Sequence, residues 1–180
     1  MRLKTVLCVP LAACALVAAA GCRQGAGNTN GGAARPTPSK KEAAALPANG
    51  FKAQITLDGP PERLRAGQKE TIRVRVKNVS DAPWYSRGGE VNTNPDNRFY
   101  LAAGDRWLKA DGQTLVTNMD GRYGLQRDLK PGEEEEVPLQ ITAPKEPGDY
   151  ILEVDLVQEQ VAWFSDKGSP TAKAKVTVVR

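Results

Sequence analysis

The chain has 180 residues, a formal net charge of +4, three cysteines and no histidine. Without histidine there is no Ser-His-Asp triad, no imidazole base and no imidazole metal ligand; with cysteine only at positions 8, 14 and 22, no thiolate metal site or cysteine nucleophile exists beyond residue 22. The basic surplus sits at the start of the chain (Arg2 and Lys4, then Arg23, Arg35, Lys40 and Lys41 against Glu42), which leaves residues 50–180 at about −1 and gives electrostatic steering toward nucleic acid little to act through.

Residues 1–21 read as a signal peptide. Arg2 and Lys4 charge the start, residues 5–20 are almost all apolar, and Ala19, Ala20 and Gly21 lead into Cys22. The sixteen-residue run falls short of the roughly 18–20 residues that cross a bilayer. The order A-A-G-C resembles the lipobox of bacterial lipoproteins. In that family the cysteine thiol receives a diacylglycerol, the preceding peptide is removed and the new amino terminus is acylated with a fatty acid such as palmitate. A second box, Leu11-Ala12-Ala13-Cys14, matches better but leaves too few apolar residues ahead of it, and plain secretion is the competing reading. The expectation is a lipid anchor at Cys22 in the bacterial cell envelope. Arg23, standing where Asp retains lipoproteins at the inner membrane, favours the outer membrane by the same resemblance, with the domain periplasmic or surface-exposed.

Residues 22–49 are expected to be a lipidated, flexible tether. RQGAGNTNGGAARPTPSKKEAAALPANG has no apolar periodicity and cannot offset its ordering entropy by burial. A coil of this length spans roughly 30 Å, and its cations suit an anionic lipid surface. Residues 41–46 are compatible with a short helix.

Residues 50–180 alternate with period two. The apolar sets are Phe51, Ala53, Ile55 and Leu57, then Ile72, Val74 and Val76 against Arg73, Arg75 and Lys77. Next come Val137, Leu139 and Ile141, then Tyr150, Leu152, Val154 and Leu156, and finally Ala174, Val176 and Val178. Alternation of this kind marks strands with one buried and one wet face. Turn signals separate them at Asp58-Gly59-Pro60-Pro61, Asn78-Val79-Ser80-Asp81, Asp111-Gly112, Asp120-Gly121, Pro131-Gly132 and Pro147-Gly148. The expected fold is all-β, an antiparallel immunoglobulin-like sandwich of about seven strands with Greek-key connections. Trp107 is placed in the inter-sheet core. Tyr150, entering a strand after Pro147-Gly148-Asp149, is expected to form a tyrosine corner.

The stretches NVSDAPW, RFYLAAGDRWLKADGQTLV and LKPGEEEEVPLQITAPKEPGDYILEVDLVQEQVAWFSDKGSP resemble an immunoglobulin-like module of bacterial cell-envelope and surface-glycan-associated proteins. The likeness covers residues 78–170 and is most specific in DLVQE, VAWF and Gly168-Ser169-Pro170. Where the module is expected to have glycine between QE and VAW, this chain has Gln160. The resemblance implies a glycan context and carries no catalytic residues.

No enzyme activity, cofactor or metal site is expected. The acidic residues fall in turns (Asp58, Asp81, Asp111, Asp120, Asp128), at the strand start EEEE (133–136), or on strand faces expected to be exposed (Glu153, Asp155), and NTNPDN (92–97) lacks EF-hand spacing. The candidate ligand-binding residues are aromatics outside the alternation: Trp84, Tyr85, Tyr123, Trp163 and Phe164. Such rings stack on sugars or anchor protein interfaces; the competing reading has Trp84 and Trp163 plugging one end of the sandwich. The expected function is a non-catalytic binding module, for surface glycan or alternatively for a partner envelope protein docked by strand addition, for example at the strand VTVVR that ends the sequence.

Overall fold

The computed structural model describes residues 44–86 and 98–180. The expected signal peptide, Cys22, the tether as far as residue 43 and the segment NTNPDN (92–97) lie outside the described residues.

Period-two patterning produces the expected sandwich. Its strands are β1 (Ala53–Asp58), β2 (Arg63–Arg65), β3 (Lys69–Asn78), β4 (Leu101–Lys109), β5 (Leu115–Gly124), β6 (Glu134–Thr142), β7 (Gly148–Gln158), β8 (Ala162–Trp163) and β9 (Ala172–Val179). Among the described residues seven strands have six or more residues, while β2 and β8 are short. One sheet has the order β1-β3-β6 and the other β2-β9-β7-β4-β5, with β8 added at the end of β7. Every pairing is antiparallel except β2 with β9. The chain changes sheets between β1 and β2, β2 and β3, β3 and β4, β5 and β6, and β6 and β7, as a Greek-key sandwich does.

The core follows parity. Ile72, Val74 and Val76 of β3 and Val137, Leu139 and Ile141 of β6 face Leu101, Ala103 and Trp107 of β4 and Leu152, Val154 and Leu156 of β7. Trp107 is fully buried, with its ring edge-on to Tyr150 at 6.4 Å. The Tyr150 hydroxyl donates to the Glu146 carbonyl at 2.8 Å, so the tyrosine corner is formed.

Three features depart from the sequence expectation. Asp120-Gly121, read as a turn, lies inside β5. Gly121 is needed there for close approach: a Cβ on it would stand 2.0 Å from the Gln140 carbonyl oxygen of β6. The last residues of the final strand are no free edge, because β2 pairs with Thr177, Val178 and Val179 on the side away from β7. Finally, the chain packs on the sandwich from Ala44, within the stretch expected as tether. Gln158 is buried, accepts from the Leu46 amide at 2.9 Å, and donates to the carbonyls of Ala44 and Phe99, each at 2.9 Å. Residues 44–47 carry no helix, and a single 3-10 turn, Ala48–Gly50, leads into the core.

Candidate functional site

β7 is the central strand of the larger sheet, and alternation on it alone implies an exposed second face. That expectation is corrected: Glu153 and Asp155 are buried. Their face is covered by the connection from β7 to β9, which folds back through β8 and the 3-10 turn Ser165–Lys167, and by Arg106 of the neighbouring strand. Arg106 Nε meets Glu153 Oε2 at 2.8 Å and its Nη2 reaches Asp155 Oδ2 at 3.4 Å and Ser165 Oγ at 3.2 Å. Lys173 Nζ and Thr171 Oγ1 complete Glu153 Oε1 at 3.2 and 2.7 Å. Burial pushes the Glu153 carboxyl up, but the Thr171 hydroxyl and the charges of Arg106 and Lys173 together outweigh it, so it is held below its ordinary range. For Asp155 burial wins over its hydrogen bonds from Ser165 and Leu156, and the carboxyl is raised.

Trp163 belongs to this cluster. Its indole packs on Gly104, where a Cβ would come within 2.9 Å of the ring, and the guanidinium groups of Arg122 and Arg106 lie over it at 4.9 and 5.7 Å from the ring centre. Arg122 is in turn paired with Glu159. The ring is half-buried and faced by cations, which makes it a clamp for the β7–β9 connection.

The other candidate aromatics are distributed differently from the expected binding patch. Trp84 and Phe164 are fully buried, and this corrects their reading as exposed binding residues. Trp84 sits in an isolated bridge with Leu129, its Nε1 donates to the Gly50 carbonyl at 2.9 Å, and its ring is perpendicular to Phe164 at 5.2 Å. Phe164 also meets Phe51 at 5.1 Å. These rings plug the end of the sandwich where the N-terminal segment arrives. Tyr123 lies in β5 opposite Ala103, half-buried and packed against the core, and Tyr85 is half-buried beside Trp84. The candidates therefore divide between core, sheet edge and outer face.

Sequence reasoning missed Asp105. It shares the inward parity of Leu101, Ala103 and Trp107, and that parity was the available signal. The carboxyl is 1% exposed, next to a register shift in the β4–β5 pairing; Oδ1 accepts from the Gly121 amide at 2.6 Å and Oδ2 has no partner. Burial pushes its pKa up to about 7, with the nearby Asp120 charge adding and the Gly121 hydrogen bond and Arg122 opposing.

A concavity of about 760 Å³ crosses the outer face over the start of β7. Glu62, Arg63, Asp149, Ile151, Lys175 and Thr177 line it together with Ala110 and Val176, giving both signs of charge around a small apolar floor. Tyr150 borders it, but its ring is committed to the core. No grouping of three or more Asp or Glu able to hold a metal ion occurs among the described residues.

No protein-family model and no curated protein matches this chain. Solved structures with similar strand arrangements include a CARDB domain from Pyrococcus furiosus (16% identity, 71% of this chain and 94% of that one, TM-score 0.41). The sporulation control protein Spo0M of Bacillus subtilis is 14% identical over 72% of this chain and 49% of its own, with TM-score 0.39. A β-glucosidase of Listeria innocua is 17% identical over 72% of this chain and 16% of its own, also with TM-score 0.39. These likenesses carry no inference about ligand or activity.

Proposed function

We propose that this protein is a non-catalytic, lipid-anchored binding module of the bacterial cell envelope, and that its sandwich docks a partner polypeptide. The anchor is Cys22, and the sequence up to residue 43 supplies the tether. The observation that carries the reading is the separation of tether and groove along one strand. Gln158 holds the arriving chain at the end of β7, while Asp149 and Ile151 line the groove at its start. Nine residues of strand put about 30 Å between them, so a tethered domain offers the groove away from its attachment.

Polypeptide is favoured over glycan because the rings meant for sugar stacking are withdrawn: Trp84 and Phe164 are core and Trp163 is faced by guanidinium groups. A groove with Arg63 and Lys175 against Glu62 and Asp149 suits the alternating charges and backbone dipoles of an extended peptide. Strand addition at the last residues of the final strand is not part of this reading, since β2 already occupies Thr177, Val178 and Val179. The test places a photo-crosslinking residue at Lys175 in the full chain, in intact envelopes. A protease-sensitive adduct that disappears when Arg63→Glu is added supports docking. An adduct sensitive only to periodate, or adducts formed from Tyr85 and Tyr123 but not from position 175, would replace it with the glycan reading.

A further inference from the structure

Where β5 passes β6, the two sheets touch backbone to backbone. The Gln140 carbonyl and Asp105 Oδ1 are the two oxygens that a side chain on Gly121 would strike, at 2.0 and 2.6 Å. The carboxyl of Asp105 thus lies at the seam between the sheets, beneath the edge strand it holds through the Gly121 amide. Its second oxygen is buried and unpartnered, whereas the other buried carboxylates among the described residues, Glu153 and Asp155, are both paired. The neighbouring core side chains from β6 and β7, Leu139, Ile141, Leu152, Val154 and Leu156, are apolar. The charged groups that act on it are Asp120 and Arg122, both of β5.

We propose that protonation of Asp105 latches β5 against β6, and that its ionisation loosens this seam. A neutral carboxyl tolerates the apolar surroundings, and Oδ2 carries the proton. Ionised, it is a buried anion beside the negative end of the Gln140 carbonyl and the charge of Asp120, and it requires water. β4 is closed at Asp105 by its ladder to β7, while its ladder to β5 is interrupted there and Asp105 has no β5 partner in register, so solvent reaches the carboxyl at this irregular stretch of β5, as β5 parts from β6. The edge strand then moves as a local unit while the central strands stay paired. Burial holds the carboxyl protonated to about pH 7, which places the transition in a range that an envelope protein meets.

The test is amide hydrogen exchange on the full chain, corrected for intrinsic exchange rates, at pH 5.5 and 8.5. Protection of the Gly121 amide and its β5 neighbours should fall at least about tenfold at the higher pH, while β7 amides are unchanged. Asp105→Asn, permanently neutral and nearly isosteric, should keep protection at both values. Should that variant not fold, Asp120→Asn serves instead: losing the like charge should move the transition to lower pH. Protection independent of pH in the parent chain, a pH dependence that survives in Asp105→Asn, or an unmoved transition in Asp120→Asn would each overturn the latch.

Discussion

The Trp84 indole donates its Nε1 hydrogen to the Gly50 carbonyl at 2.9 Å, across 34 positions of sequence. This bond joins the N-terminal segment to the loop after β3 and places the ring against Phe164 from the far end of the chain. Three remote segments therefore close one end of the sandwich around a single aromatic cluster with Phe51.

That cluster makes a strong stability prediction. Trp84→Ala or Phe164→Ala should each cost about 3–5 kcal/mol. The double variant is expected to lose cooperative melting altogether, so loss of binding in it would say nothing about a site. Trp84→Phe keeps much of the volume but orphans the buried Gly50 carbonyl, and should cost about 1–3 kcal/mol. Urea denaturation checks all three, and a cooperative double variant with near-parent stability would contradict the burial seen here.

Gln158 should behave as a clamp. Gln158→Leu removes its three hydrogen bonds to the backbone of residues 44, 46 and 99 while filling similar space. The expected result is rapid amide exchange and protease sensitivity at residues 44–49, with about 1–3 kcal/mol lost because the backbone groups lose their partners. Limited proteolysis followed by mass spectrometry reads the first effect directly.

The strands that bury one face were legible because parity alone decides them: β3, β6 and the inner side of β7 fall where Val74, Leu139 and Leu152 say they must. The tyrosine corner was legible from Pro147-Gly148-Asp149-Tyr150, and Trp107 from its place on a central strand. What failed has a common cause, since in each case a long-range contact overrides a local signal. Gly121 looks like a turn glycine, yet it is there so that β6 can approach within contact of β5. Glu153 and Asp155 look wet until the β7–β9 connection folds over them. Trp84 and Phe164 lie outside any alternation, so nothing local says they meet.

Two glycines and one glutamine follow from the same geometry. Gly121→Ala drives a Cβ into backbone oxygen and should prevent folding or cost more than about 3 kcal/mol. Gly104→Ala presses on the Trp163 ring instead, which can shift, so about 1–3 kcal/mol and a changed tryptophan emission are expected. Gln160 has φ of 59°, the left-handed conformation that glycine adopts freely, at the position where the resembled module calls for glycine. Gln160→Gly relieves about 1–2 kcal/mol of left-handed strain against the loss of the interaction that Gln160 makes, and should be the least destabilising of the three. Thermal melts of the three variants should rank them in that order.

Asp105 gives the pH prediction, and its sign runs against the usual acidic residue. Its folded pKa is about 7 against 3.8 for an unperturbed aspartate, so between these values the folded chain holds a proton that the unfolded chain releases. Stability therefore falls as pH rises from about 4 to 7, by an amount on the order of 4 kcal/mol at most. Glu153 acts in the opposite direction: its lowered pKa adds stability above its unfolded value, and that stability is lost as pH falls through the folded value. Asp155, whose carboxyl burial also raises, acts in the same direction as Asp105, and all three combine in a single melting curve that the parent profile alone does not separate. The difference between the parent and Asp105→Asn isolates one: the variant should gain stability relative to the parent progressively from pH 4 to 7 and hold a constant advantage above it. Melting temperatures of both chains at pH 4.5, 6 and 8 provide the measurement. A difference that shrinks with rising pH would mean that Asp105 is ionised and paired in the folded chain.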